Sequence, residues 1–283
     1  MSIKTIPLTS GRNLFLSSTL VMGVLNLTPD SFSDGGSYKN ADAAVDRALE
    51  MERQGADIID IGGESTRPGA KMVPAAEEIE RVVPVIKALR ASSTIPISID
   101  TYKATTAKAA LDAGADIVND ISALRFDPDL AQVVSAGKVP LIMMHMLGTP
   151  ATMQNSPHYD DCVGELMDFF SERLAFCEKQ GIDTGKVILD PGIGFGKRLE
   201  DNLYILSELA RFKKLDKPLL VGTSRKSFIK MVHPTDKPAR ERIGGSIASM
   251  IMAVMNGADI VRVHDVAETV EALKVLRAIR EGI

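Results

Sequence analysis

The sequence predicts an α/β fold: a (β/α)8 TIM barrel of eight parallel strands, preceded by a short hairpin. Three observations carry that reading. Six apolar runs each give way to a loop at a polar residue: LVMGVLN (20–26) at Asn26, IPISID (95–100) at Asp100, ADIVND (115–120) at Asn119, VPLIMMH (139–145) at His145, KVILDP (186–191) at Asp190 and ADIVRVHD (258–265) at His264. Two more, ADIIDIGGE (56–64) and KPLLVGTS (217–224), finish in glycine and then a polar cluster. Segments of helical periodicity alternate with these runs, and GADI stands at 55–58, at 114–117 and, within NGADI, at 256–260, each time between a helix and a strand. Glycine suits the left-handed end of a helix, and the repeated phrase is what one βα unit copied around a barrel produces. Such barrels carry their sites at the carboxyl ends of the strands, where the polar run ends lie.

In chain order, residues 1–19 read as a hairpin, with Ser10, Gly11, Arg12 and Asn13 between short apolar stretches. The first helix is expected at 40–54, where Ala44, Ala48 and Met51 recur at helical spacing and Gly55 is the stop. Others are expected near 75–90, 102–113, 128–136, 160–180, 200–213, 239–255 and 266–280. No linker, low-complexity tract or composition shift divides the chain, so 1–283 reads as one barrel domain. The alternative is a doubly wound open sheet. It requires fewer strands and a phosphate-binding glycine fingerprint after the first one, where this chain has NLTPDSFSDGG.

With 283 residues and 45% hydrophobic content, the chain can bury a large core. A balance of 33 basic and 37 acidic residues favours neither nucleic acid nor an anionic membrane as partner. No run approaches membrane-spanning length, and the stretch at 14–25 carries Ser17, Ser18 and Thr19 with no cleavage site, so it reads as structure rather than a signal peptide. Cys162 and Cys177 lie too far apart on one predicted helix to bridge, which points to a reduced, cytoplasmic setting.

Strand side chains alternate, so residues two apart share a face. Ser98 pairs with Asp100, Ile117 with Asn119, Ile188 with Asp190 and Arg262 with His264, while Val261 and Val263 take the opposite face. Buried charges are costly unless paired or liganded, so Asp100, Asn119, Asp190 and Arg262 around one mouth imply a polar ligand. A salt-bridge network, with Arg262 pairing Asp190 or Asp100, is the alternative. Loop one is LTPDSFSDGG (27–36), loop two GGESTRPGA (62–70) and loop seven GTSRKSF (222–228). Arg67, Arg225, Lys226, Arg262 and His264 would surround the mouth with positive charge and suit a phosphate or diphosphate ester. DPGIGFGK (190–197) lacks the lysine-serine ending of a nucleotide loop and reads as a turn that passes close to a ligand. His145 fits a core histidine or a site residue; His158 and His233 read as solvated. No histidine or cysteine metal cluster stands out, but Asn26 could give one neutral oxygen to a hard divalent cation on a diphosphate.

VMGVLNLTPDSFSDGG (21–36) with IIDIGGESTRPGA (58–70) resembles the paired signature of the dihydropteroate synthases of the pterin-binding family. The similarity continues in order through SIDTYK (98–103), IVNDIS (117–122), MMHMLGTPATMQ (143–154), LDPGIGFGK (189–197), GTSRKSF (222–228) and IVRVHDV (260–266), from about Met22 to the last helix. The resemblance implies condensation of 4-aminobenzoate with a dihydropterin carrying a hydroxymethyl diphosphate. It implies that Asp190, Asp100, Asn119 and Lys226 bind the pterin, and that Arg67, Arg262, His264 and Mg²⁺ on Asn26 hold the diphosphate. Thr66 matches a substrate-binding position. Phe32 and Pro68 would pack the arylamine ring, Ser227 would lie near its carboxylate, Phe195 would form an apolar wall, and Asp34 would stabilise a cationic intermediate. Asp34, Arg67 and Lys226 are the expected catalytic residues. A homodimer through helices late in the barrel is also implied. A pterin-binding methyltransferase domain or a silent pterin-binding paralogue remain as alternatives; the first has no diphosphate to hold, and the second should have eroded loops.

Overall fold

The computed structural model describes residues 5–9, 11–28, 37–66 and 69–282, with side chains from residue 41 onward in the first helix. Strands β1 (Thr5–Pro7) and β2 (Asn13–Phe15) pair antiparallel, Ile6 opposite Leu14. Gly11 lies between them at φ +79°, a backbone state that a side chain would strain. The expected hairpin therefore forms. Its role in the fold was not legible in the sequence. Ile6, Leu8 and Leu14 pack against Leu20, Met22, Ile58, Ile117, Ile142, Ile188, Leu220 and Ile260. Those residues stand near the amino ends of the barrel strands and point inward, so the hairpin plugs the bottom of the barrel.

Eight parallel strands follow: β3 (Leu20–Asn26), β4 (Ile58–Gly62), β5 (Ile97–Asp100), β6 (Ile117–Asp120), β7 (Leu141–Met144), β8 (Val187–Asp190), β9 (Leu220–Val221) and β10 (Ile260–Val263). Their order is β8-β7-β6-β5-β4-β3-β10-β9, and a bridge between Leu189 and Leu219 closes the ring. The chain is thus a (β/α)8 barrel, not an open sheet. Val21, Ile59, Ile97, Ile99, Val118, Leu189, Val261 and Val263 alternate outward into a second apolar layer beneath the helices.

The GADI phrase has a physical reason at all three sites. Gly55, Gly114 and Gly257 take φ near +100 to +112° as a helix ends. The aspartate two residues later then accepts a backbone N–H of the neighbouring strand: Asp57 from Val21 at 2.8 Å, Asp116 from Ile97 at 3.0 Å and Asp259 from Leu219 at 2.9 Å. Each aspartate also donates its own N–H back to that strand or its edge.

Helices α1 (Ser37–Arg53), α2 (Ala75–Ser92), α3 (Ala104–Asp112), α4 (Leu130–Gly137) and α5 (Cys162–Lys179) lie where periodicity put them. The expected helix at 200–213 is two pieces, α6 (Leu199–Ser207) and a 3₁₀ stretch, Leu209–Leu215. Three residues per turn puts Leu209 and Phe212 on one face, and both are buried. The loop-seven motif runs into a short helix, α7 (Ser227–Val232), which six residues are too few to announce. The expected helix at 239–255 opens as a 3₁₀ turn, Ala239–Glu241, before α8 (Ile243–Met255); α9 (Val266–Glu281) ends the fold.

Candidate active site

Above the apolar plug the inward positions turn polar. β4 brings Asp60 after Ile58, β5 brings Ser98 and Asp100, β6 brings Asn119 after Ile117, β8 brings Asp190 after Ile188, and β10 brings Arg262 after Ile260. Arg262 donates Nε to Asp60 Oδ2 at 2.6 Å and Nη2 to Asp100 Oδ2 at 2.7 Å. Its ion-pair partners are therefore Asp100 and Asp60, not Asp190. Asn119 donates Nδ2 to the same Asp60 oxygen at 3.2 Å. Asp190 accepts the N–H of Gly192 on Oδ1 at 2.7 Å. The side-chain Oδ2 of Asp190 and Oδ1 of Asn119 have no hydrogen bond to the described residues, which leaves two acceptors for a ligand.

Burial raises the carboxyl of Asp100 to about 7; Arg262 opposes this, while Asp60, Glu78 and Asp120 add to it. Burial also raises Asp190, against the Gly192 hydrogen bond and the nearby cations Lys226, Arg262 and Lys197. Lys226, at the amino end of α7, is lowered to about 8 by burial, with Asp190 opposing and Arg262 adding. Its Nζ donates to the Ile193 carbonyl at 2.5 Å and stands 4.1 Å from the centre of the Phe195 ring. Phe195 packs beside an apolar cluster of Ile121, Met144, Met146 and Met153.

Other expected residues are more dispersed. Asn26 ends β3, half-buried, on the inward face shared with Leu20 and Met22. His264 Nδ1 lies 3.0 Å from Ser224 Oγ, at the end of β10. Thr66 is half-buried in loop two, and Ser227 is exposed at the start of α7. Phe32, Asp34, Arg67 and Pro68 lie outside the described residues. Arg225 corrects the expectation of a cationic rim: its guanidinium is paired with Asp265, at 3.1 Å through Nε. The glycines of DPGIGFGK make their closest approaches to the chain itself. A Cβ at Gly192 would fall 2.0 Å from the His145 carbonyl oxygen, and one at Gly196 would fall 2.6 Å from Leu147 Cβ. Only Gly194 lies against a site residue, Lys226.

His145 adopts the core reading. It is buried, packs edge-on against Phe169, and lies 3.0 Å from Lys197 Nζ. Burial lowers it well below the ordinary histidine range, with Lys197 and Arg125 adding to the effect.

Sequence reasoning missed three groups. Asp60 was legible in principle, since Ile58, Asp60 and Gly62 alternate just as Ser98 and Asp100 do. Lys197 is a loop residue without periodicity to mark it. The third is a buried network under loop two: Glu64 accepts from Lys103 Nζ at 2.5 Å, Tyr102 Oη at 2.9 Å and Val73 N at 2.9 Å, tying both ends of that loop to the β5–α3 connection.

The family model for pterin binding enzymes matches residues 22–264. A dihydropteroate synthase from Synechocystis sp. is 49% identical over 275 residues, covering 96% of this chain and 95% of the relative. The structure of the Xanthomonas albilineans dihydropteroate synthase with 4-aminobenzoic acid superposes with a TM-score of 0.92 at 44% identity, covering 99% of each chain. The same enzyme in complex with 7,8-dihydropteroate gives 0.87 at 42% identity, covering 96% of this chain and 97% of that one. With these matches spanning the barrel and its polar mouth, the chain belongs to the pterin binding enzyme family and groups within it with the dihydropteroate synthases.

Proposed function

We propose that the polar mouth binds the dihydropterin through Asp100, Asn119, Asp190 and Lys226, and that Arg67, Arg262 and His264 receive the diphosphate. The reaction is that of the dihydropteroate synthases in folate biosynthesis: 4-aminobenzoate and (7,8-dihydropterin-6-yl)methyl diphosphate give 7,8-dihydropteroate and diphosphate. The observation that carries the assignment is the pair of open acceptors, Asp190 Oδ2 and Asn119 Oδ1, beside the donor Lys226. An amino-pyrimidinone edge offers N–H donors to the first two and a carbonyl or ring nitrogen to the third. A ligand lacking those groups would leave buried polar atoms unpaired, which is a strong basis for discrimination.

The fold asks little covalent chemistry of its side chains. The bond from the pterin methylene to the diphosphate oxygen breaks, and the arylamine nitrogen forms the new bond to that carbon and loses a proton. The amine is already neutral at pH 7, so orientation matters more than deprotonation. Phe32, Pro68 and Phe195 would pack its ring, Ser227 and Thr66 would meet polar groups at the rim, and Asp34 would face the developing positive charge. Arg67 and Arg262 would oppose the charge gathering on the leaving group.

Asn26 suits Mg²⁺. Its side chain has no hydrogen-bond partner among the described residues, and no cluster of three or more His, Cys, Asp or Glu able to hold a metal occurs among them. Asn26 would offer the ion its amide oxygen, a hard neutral ligand of the kind that Mg²⁺ takes beside water and substrate phosphates. When bound, the ion would supply Lewis-acid charge to the departing diphosphate.

A homodimer is supported by an apolar face late in the chain, where Met252 and Met255 of α8 and Val275 and Ile279 of α9 are exposed. Sedimentation of the purified protein tests this. Both cysteines are free and buried, which agrees with a reduced, cytoplasmic setting, and no helix among the described residues is long and apolar enough to cross a membrane. Incubation of the protein with both substrates and Mg²⁺ should release dihydropteroate and diphosphate in equal amounts. Pterin binding without diphosphate release would overturn the catalytic assignment.

A further inference from the structure

Asp60 belongs to none of the assignments above, yet it lies beneath the mouth, wholly buried on β4 and facing the barrel axis. Its two oxygens are used unequally. Oδ2 accepts from Arg262 Nε at 2.6 Å and Asn119 Nδ2 at 3.2 Å, whereas Oδ1 has no partner among the described residues. Burying a carboxylate with one oxygen unsatisfied is costly, and an apolar residue like Ile58 would fill the barrel without that cost. The charge is therefore poorly explained by packing.

The bond to Asn119 has a chemical consequence. A primary amide has a donor end and an acceptor end, and nothing in its shape decides which one faces a ligand. Here the nitrogen is held by a carboxylate, so the oxygen is the end left for a ligand. Arg262 is fixed in the same way, since Asp60 and Asp100 take its Nε and Nη2. We propose that Asp60 is a positioning residue that sets the hydrogen-bond polarity of the pterin floor, holding Asn119 by its nitrogen so that it can only accept. Its carboxylate makes the site selective for ligand edges that carry N–H donors toward β6. This inference rests on the reading of the mouth as the pterin site.

A second effect reaches Asp100. The groups that face it are Arg262 from β10, Asp60 from β4, Glu78 from α2, Asp120 from β6 and Lys226 from α7. Of these, Asp60 is a like charge sharing the same arginine, and removing it should ease ionisation of Asp100.

The test uses D60L, which removes the acceptor and leaves Arg262 paired with Asp100, and N119A, alone and together, with 6-hydroxymethyl-7,8-dihydropterin as the calorimetric probe across pH 5.5–8.5. N119A should weaken binding about tenfold in the wild-type background and less than about threefold in D60L, because the unanchored amide no longer presents its oxygen reliably. D60L should itself weaken the pterin about tenfold, move the acidic limb of the binding profile to lower pH, and leave KM for 4-aminobenzoate unchanged. An equal N119A penalty in both backgrounds, or an unmoved pH profile, would overturn the proposal. Should D60L not fold, D60A removes the same acceptor with a smaller side chain, and the N119A penalty on that background reads the same coupling. If N119A leaves wild-type affinity unchanged, the pterin site itself is misassigned and this inference falls with it.

Discussion

Lys197 Nζ lies 3.0 Å from His145 Nδ1, with both side chains buried at the end of β7. The same nitrogen reaches the carbonyls of Phe195 at 3.1 Å and His145 at 3.4 Å, so it joins the loop after β8 to the loop after β7. Burial lowers this amine to about 7, with Cys162 and Asp190 opposing.

Lys197→Met should therefore strand two buried acceptors on His145 and the half-buried Phe195 carbonyl, and cost about 2–3 kcal/mol of stability, a fall in Tm of several degrees. Between about 7 and the ordinary lysine value, the unfolded chain binds a proton that the folded chain does not, so this group's contribution to stability rises with pH. Urea denaturation at pH 7 and pH 9.5 should show that rise in the wild type and a shallower one in the variant. Identical slopes would mean that the buried amine is not the source.

Asp190→Asn keeps the side chain's shape but turns an acceptor into a donor at the oxygen left open for a ligand. Pterin affinity should fall by about 2–3 kcal/mol with the fold intact. Calorimetry of the pterin alone measures this, and unchanged affinity would remove Asp190 from the site.

Pterin binding should be greatest in a narrow pH window. Asp100, raised to about 7, must lose its proton to accept, so affinity grows as pH rises toward 7. Lys226, lowered to about 8, loses its charge above that value, so affinity declines again. A bell with its maximum between about 7 and 8 is expected in Kd measured from pH 5.5 to 9.5. Lys226→Met should flatten only the alkaline limb.

Diphosphate should organise the arylamine pocket. Loops one and two carry Phe32, Arg67 and Pro68, and Gly35, Gly36, Gly62, Gly63 and Gly69 punctuate them. 4-Aminobenzoate should bind at least tenfold more tightly when diphosphate and Mg²⁺ are present, the outcome expected where those ligands draw the two loops together around it. Comparable affinity in their absence would indicate a preformed pocket.

By itself, the sequence determined whatever depends on one strand or one repeat. Two-residue alternation identified Asp100, Asn119, Asp190 and Arg262 as inward residues, and the repeated GADI phrase marked three of the barrel's βα units. The order of motifs identified the family. Tertiary structure alone decided which inward groups meet. Arg262 and Asp60 are 202 residues apart, and their contact depends on the closure of the ring and the position of each side chain along its axis. Alternation assigns a face but no partner across the barrel, so it could not tell that Arg262 meets Asp60 as well as Asp100. Arg225 read as a cation of the rim for the same reason, its pairing with Asp265 being invisible along the chain, and the hairpin's role as plug was hidden because its three buried residues resemble any short apolar stretch until eight strands surround them. Local periodicity is a property of the backbone, whereas pairing, burial and the resulting shifts in charge arise only when distant segments exclude water from one another.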